Sequence, residues 1–177
     1  FTLWAISWII WKPMPNSKLL GGAGHQETQA GDRRESGGCP MELSELEQSL
    51  NYHFKQPELL LTALTHPSYA GEHQVVHYQR LEFLGDAVLQ LTVSRHLFFE
   101  LPGVPEGQLT RLRASLVREE SLNLAAQRFN LGKYIRLSHG EERTGGREKP
   151  SILADIMEAV IAAVYLDGGL EAAEALV

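Results

Sequence analysis

Apolar residues recur at helical intervals along most of the chain, and polar or glycine-rich stretches separate the runs. Leu43, Leu46 and Leu50 share one face of a first short helix. Pro57 opens PELLLTALTH at the helical position where a missing amide is harmless. Leu81, Leu84, Val88 and Leu91 are spaced i, i+3, i+7 and i+10, which predicts a long helix from about Tyr78 to Phe99 that LPGVP stops. A more polar helix in EGQLTRLRASLV runs almost directly into REESLNLAAQRF, with Gly132 placed to end the second of the two. GEERTGGREKP reads as a Gly-rich loop, and Ser151 after it as the N-cap of ILADIMEAVIAAVYL. GGLEAAEALV begins a last helix. No strand period and no internal repeat emerges, so the expected fold class is all-α.

The first 40 residues break this pattern. FTLWAISWIIWK is too short and interrupted to span a bilayer, and it lacks the basic start and small-residue cleavage site of a signal peptide. GGAGHQETQAGDRRESGGCP, further along, is polar and Gly-rich with no period. The chain does not begin with methionine, and periodicity starts only at MELSELEQSL, so Met41 is the expected natural start. Residues 1–40 are therefore expected to be a poorly ordered or non-native extension, and residues 41–177 one helical domain.

Composition changes this picture little. A chain of 177 residues, 44% hydrophobic and 21% charged, is balanced like a soluble globular domain with a sizeable core. The single cysteine, Cys39, has no second thiol for a disulfide or a metal pair, which makes the cytoplasm the expected compartment. Charge is more informative. A formal net charge of −6 repels nucleic acid at long range, so a polyanionic partner would need local basic groups or bridging cations.

Two pairs of acids stand out against their apolar surroundings. Glu82 and Asp86 lie four apart in RLEFLGDAVLQL, and Asp155 and Glu158 lie three apart in ILADIMEAVIAAVYL, so each pair shares a helix face. The second helix is apolar on almost every side and is expected to be buried. An ionised carboxylate buried without compensation costs several kcal/mol, and few basic residues lie nearby in sequence. All-oxygen ligands without Cys or His suit a hard cation such as Mg²⁺. Two such ions can stabilise the entering and leaving oxygens of a phosphodiester. The competing reading makes Glu82 and Asp86 a solvated stripe, or partners of arginines such as Arg111 and Arg113.

RLEFLGDAVL resembles the signature of the ribonuclease III endonuclease domain of bacterial type. Its companions follow in the family's order: LTHPSY upstream, then EGQLTRLRASLV, LGKYIRLSHGE, a Gly-rich loop and SILADIMEAVIAAVYLDGG. The resemblance covers about residues 43 to 177. It implies an all-α, Mg²⁺-dependent homodimer, with Mn²⁺ able to substitute, that hydrolyses double-stranded RNA to 5′-phosphate and 3′-hydroxyl ends. RNA processing such as ribosomal RNA maturation is the implied setting. By motif position, Glu82, Asp86, Asp155 and Glu158 would be the metal-site carboxylates, with Asp86 and Glu158 most directly catalytic. Glu106 matches an acid that reaches toward the partner subunit's site, and Phe83 an aromatic that enters a hollow on that subunit. On residue type alone, Phe83 reads as core.

Two departures from the family pattern bear on function. Gln79 stands where many members have glutamate three positions before Glu82. Bacterial members usually continue into a double-stranded-RNA-binding domain, and this chain stops at Val177, so weak and salt-sensitive RNA affinity is expected of it. His66 and Ser68 of THPSY read as turn and packing residues rather than bases. Arg147 and Lys149, just before the helix bearing Asp155, are the expected RNA-phosphate contacts. The alternative function is a non-catalytic RNA-binding or scaffold domain of the same fold.

Overall fold

The computed structural model describes residues 40–177, with side chains from Leu43 onward, so the expected extension at 1–40 lies outside the described residues except for Pro40. The elements in order are α1 (Pro40–Leu50), α2 (Pro57–Ala63), α3 (Pro67–His73), α4 (Gln79–Glu100), α5 (Glu106–Leu116), α6 (Glu119–Arg128), α7 (His139–Arg143) and α8 (Pro150–Leu176), with short 3₁₀ turns at Leu131–Lys133 and Gly146–Glu148. Among the described residues the only β feature is an isolated parallel bridge between Thr65 and Arg136. The all-α expectation holds. No helix among the described residues is long and apolar enough to cross a membrane.

The fold is organised around α8. Ile152, Leu153, Ile156, Met157, Val160, Ile161 and Val164 point to several sides of this helix, and all are buried. Burial contributes about 1.5–3 kcal/mol for each large apolar side chain, so a helix apolar all round is stable only when neighbours enclose it. The long α4 packs most extensively against it, followed by α6 and α2. Gly169, at φ 82° and ψ −176°, breaks the helical path, which separates the last stretch as the GGLEAAEALV pattern predicts. Near that break Asp167 accepts bonds from the Tyr52 hydroxyl (2.7 Å) and from the Lys55 and Gln56 amides (3.0 and 2.9 Å), fastening the α1–α2 connection to α8.

Several local expectations are corrected. PELLLTALTH is not one helix. Pro67 disfavours helical backbone at His66, whose φ −73° and ψ 148° are extended. Residues 64–66 instead pair with Arg136 through Arg136 N–H to Leu64 O (2.8 Å) and His66 N–H to Arg136 O (3.1 Å). The His66 ring then caps α3 by accepting from the Ser68 amide. Asn130, at φ 53°, takes the left-handed position after α6, whereas Gly132 lies in the following turn, where a Cβ would come within 2.5 Å of Arg147 O. Ser151 is inside α8; Lys149 holds the N-cap position. GEERTGGREKP is folded into α7 and a 3₁₀ turn, with Ser138 Oγ accepting from the Glu141 amide. Leu91 is 53% exposed and Phe83 82% exposed, so neither is core. The buried face of α4 runs through Leu81, Gly85, Val88, Leu89, Thr92, Val93 and Leu97.

Candidate metal centre

The two acid-bearing helices touch backbone to backbone. A Cβ placed on Gly85 of α4 would lie 1.9 Å from the carbonyl oxygen of Glu158 on α8. Glycine inside a helix is about 1 kcal/mol less favourable than alanine, and here the close approach leaves no room for a methyl group. Glu82 and Asp86 flank Gly85, and Asp155 lies one turn before Glu158. The crossing therefore brings together two acid pairs that are more than 60 residues apart in sequence.

Their electrostatics report this convergence. Burial, followed by the charges of Asp86, Glu82 and Asp155, pushes the Glu158 carboxyl up to about 8. Burial and then Asp155 raise Glu82. Burial also raises Asp155, against the opposing effects of the Tyr78 hydroxyl, which donates to Asp155 Oδ2 at 3.1 Å, and of His66. Asp86 is exposed and accepts from Gln90 Nε2 at 3.3 Å. Among the described residues no lysine or arginine pairs with any of the four acids. Arg113 donates to Ser94 Oγ instead. Paired arginines therefore do not account for the cluster.

The donor set fits a hard divalent cation, being all oxygen and short of positive charge. Among the described residues, no three of these side chains are drawn tightly enough to hold an ion as they stand. Ion binding would thus require side-chain rotations that bring the carboxylates inward.

The other candidates fall outside this cluster. Glu106 is exposed in the first turn of α5, accepts from Thr110 Oγ1 at 2.8 Å, and is not among the charges acting on Glu158. Phe83, on α4 between Glu82 and Gly85, points to solvent. Arg147 pairs with Glu142 (2.6 Å) and donates to the carbonyls of Gly132, Lys133 and Ile135. Lys149 pairs with Glu141 at 2.5 Å. Both cations are engaged in fixing the α7 segment. Gln79 is exposed at the start of α4. Two residues escaped the sequence reading, Gly85 and Tyr78. A glycine inside an otherwise strong helical pattern is itself a signal of close approach; nothing in the local pattern marks Tyr78.

Comparison with known proteins gives a consistent picture. A sequence model described as ribonuclease-III-like matches residues 56–177. Ribonuclease 3 of Clostridium acetobutylicum is 55% identical over 133 residues, covering 75% of this chain and 58% of the relative. Ribonuclease 3 of Pseudomonas syringae pv. tomato is 53% identical over 131 residues, covering 74% and 56% respectively. The chain thus spans little more than half the length of these curated relatives. A solved nuclease domain of ribonuclease III from Campylobacter jejuni superposes with a TM-score of 0.72 at 48% identity, over 76% of this chain and 92% of that one.

Proposed function

The chain belongs to the ribonuclease-III-like family, and from that premise we propose that it carries a Mg²⁺-dependent endoribonuclease site for double-stranded RNA, in which Mn²⁺ can substitute. The convergence of Glu82, Asp86, Asp155 and Glu158 at the Gly85–Glu158 contact, without a lysine or arginine partner among the described residues, carries this reading. A divalent ion held there would supply an activated water and neutralise charge developing on a phosphodiester. The protein's part is to hold the ligands. Asp86, on the exposed edge, stands where substrate can approach, while half-buried Glu158 must give up the proton it holds near neutral pH before its carboxylate can ligate. Water adds to phosphorus as the bond to the 3′-oxygen breaks, and that oxygen takes up a proton, leaving 5′-phosphate and 3′-hydroxyl ends.

We infer assembly as a homodimer. Phe83, Ala87, Leu91 and Phe98 are all exposed and fall within about 80° of the α4 surface at 100° per residue. An exposed apolar stripe of this kind is suited to burial against a second subunit. The Campylobacter jejuni domain has a region involved in dimer formation. In such a dimer Glu106 would serve the partner's site. For Arg147 and Lys149 to meet an RNA phosphate, each would exchange its present carboxylate for that phosphate. Processing of RNA in the cytoplasm, such as ribosomal RNA maturation, is the proposed setting.

Incubation of the purified chain with long double-stranded RNA tests the reading, with Glu158→Gln as control. Discrete shortening in Mg²⁺, abolished by chelator and by the substitution, is expected. RNA binding without cleavage would instead place the chain with non-catalytic domains of the same fold. Equal cutting of single-stranded RNA would overturn the substrate assignment.

A further inference from the structure

Tyr78 stands immediately before α4 and is only 3% exposed. Its amide donates to Thr65 O at 3.0 Å, and its carbonyl accepts from the amides of Leu81 and Glu82 at 2.8 and 2.9 Å. The backbone is therefore anchored on one side to the extended segment before α3 and on the other to the residue that supplies the first acid. The ring packs against His66 at 5.7 Å between centroids. From this fixed base the hydroxyl crosses to α8 and donates to Asp155 Oδ2 at 3.1 Å. Among the described residues it is the only hydrogen-bond donor to that carboxylate, and Oδ1 has none.

We propose that Tyr78 is a positioning residue for the metal site: its hydroxyl fixes one oxygen of Asp155 and leaves the other available, tying the acid of α8 to the start of the helix that carries Glu82 and Asp86. This rests on the reading that the four acids hold a divalent ion. A half-buried carboxylate such as Asp155 can rotate about its side-chain bonds, and each rotation away from the cluster must be reversed when an ion binds. Anchoring Oδ2 removes that freedom in advance. Outer donors of this kind typically govern metal affinity by 10–100-fold, through orientation rather than contact with the reacting atoms.

Tyr78→Phe removes the hydroxyl and keeps the packing of the ring. Titration calorimetry with MgCl₂ should show affinity about tenfold weaker than wild type, and the Mg²⁺ concentration for half-maximal RNA cleavage should rise by the same factor. Cleavage at saturating Mg²⁺ should return to within about threefold of wild type, since the lost interaction acts on ligand placement. In an Asp155→Ala background the same substitution should change Mg²⁺ affinity no further. A lowered melting temperature with unchanged Mg²⁺ affinity would mean that Tyr78 is only structural and would overturn the proposal, as would an additional loss of affinity in the Asp155→Ala background. Failure of the wild-type chain to bind Mg²⁺ would instead bring down the metal reading itself. If Tyr78→Phe does not fold, the wild-type hydroxyl proton decides by NMR. A slowly exchanging resonance that shifts with the Mg²⁺ titration supports the proposal, and one that is absent or unmoved overturns it.

Discussion

Gly85→Ala probes the contact on which the site is built, because two effects of opposite sign meet there. In an uncrowded helix, alanine would stabilise by about 1 kcal/mol through helix propensity alone. At residue 85, however, the added carbon would sit 1.9 Å from Glu158 O, whereas real Cβ contacts essentially never fall below 3.0 Å. The difference, 3.0 − 1.9 = 1.1 Å, is the least by which α4 and α8 must part locally. The obstructing atom belongs to the backbone, so no side-chain rotation can relieve it. Overpacking of this kind typically costs about 1–3 kcal/mol, and the backbone clash places this case near the upper end. Set against the propensity gain, the net loss is about 2 kcal/mol, which lowers the melting temperature by roughly 5–10 °C in a domain of this size. Displacing two of four ligands by about 1 Å should also lower cleavage about 100-fold. Gly107→Ala, at a position with nothing within 4 Å of the new carbon, is the control and should be neutral or mildly stabilising. Differential scanning calorimetry and a cleavage assay on the two variants give both readouts. A Gly85→Ala protein as stable and as active as the control would refute the close crossing as the device that assembles the acids.

Glu158→Gln should lower cleavage by at least about 100-fold while leaving the metal-free protein no less stable at pH 8, because it removes a carboxyl that burial and neighbouring acids disfavour as an anion. For the same reason, the contribution of Glu158 to the stability of the metal-free wild type should be fully present below the ordinary carboxyl value of 4.5. It should decline as pH rises from there through about 8, where the folded state finally yields a proton that the unfolded chain lost earlier. Urea midpoints across this range, with and without Mg²⁺, check the sign, and Glu158→Gln should flatten the slope. Asp167→Ala leaves the Tyr52 hydroxyl and two amides without their acceptor, and chemical denaturation should show a loss of about 3 kcal/mol. Phe83→Ala, at an 82% exposed position, should leave monomer stability nearly unchanged but weaken self-association by about 2 kcal/mol or more in sedimentation equilibrium.

The parts of the molecule legible in the sequence are those governed by periodicity or by an unfavourable burial. The apolar sides of α8 announced a central helix, and the spacing of Glu82 with Asp86 and of Asp155 with Glu158 put each pair on one face. Residues 67–73 escaped notice because seven residues are too few to establish a period; α3 exists through Pro67 and the His66 cap. Leu91 was misplaced because apolar residues occupy two sides of α4, one against α8 and one facing solvent. Periodicity alone cannot tell which side is covered. Arg147 had a suggestive position in the chain, yet its guanidinium closes the loop by meeting three carbonyls, a role set by tertiary geometry. Tyr78 depends in the same way on a contact 77 residues distant.

Proton release on metal binding tests the central claim most directly. With its carboxyl held near 8 by burial and by the other three acids, Glu158 is largely protonated at pH 7, and a cation that binds its oxygens must displace that proton. Calorimetric titration of Mg²⁺ into the wild-type chain, repeated in buffers of different ionisation enthalpy, should show saturable binding with release of roughly one proton at pH 7. Glu158→Gln should bind more weakly and release almost none. Absence of Mg²⁺ binding, or binding that Glu158→Gln leaves unchanged in both affinity and proton release, would contradict a metal centre built from Glu82, Asp86, Asp155 and Glu158.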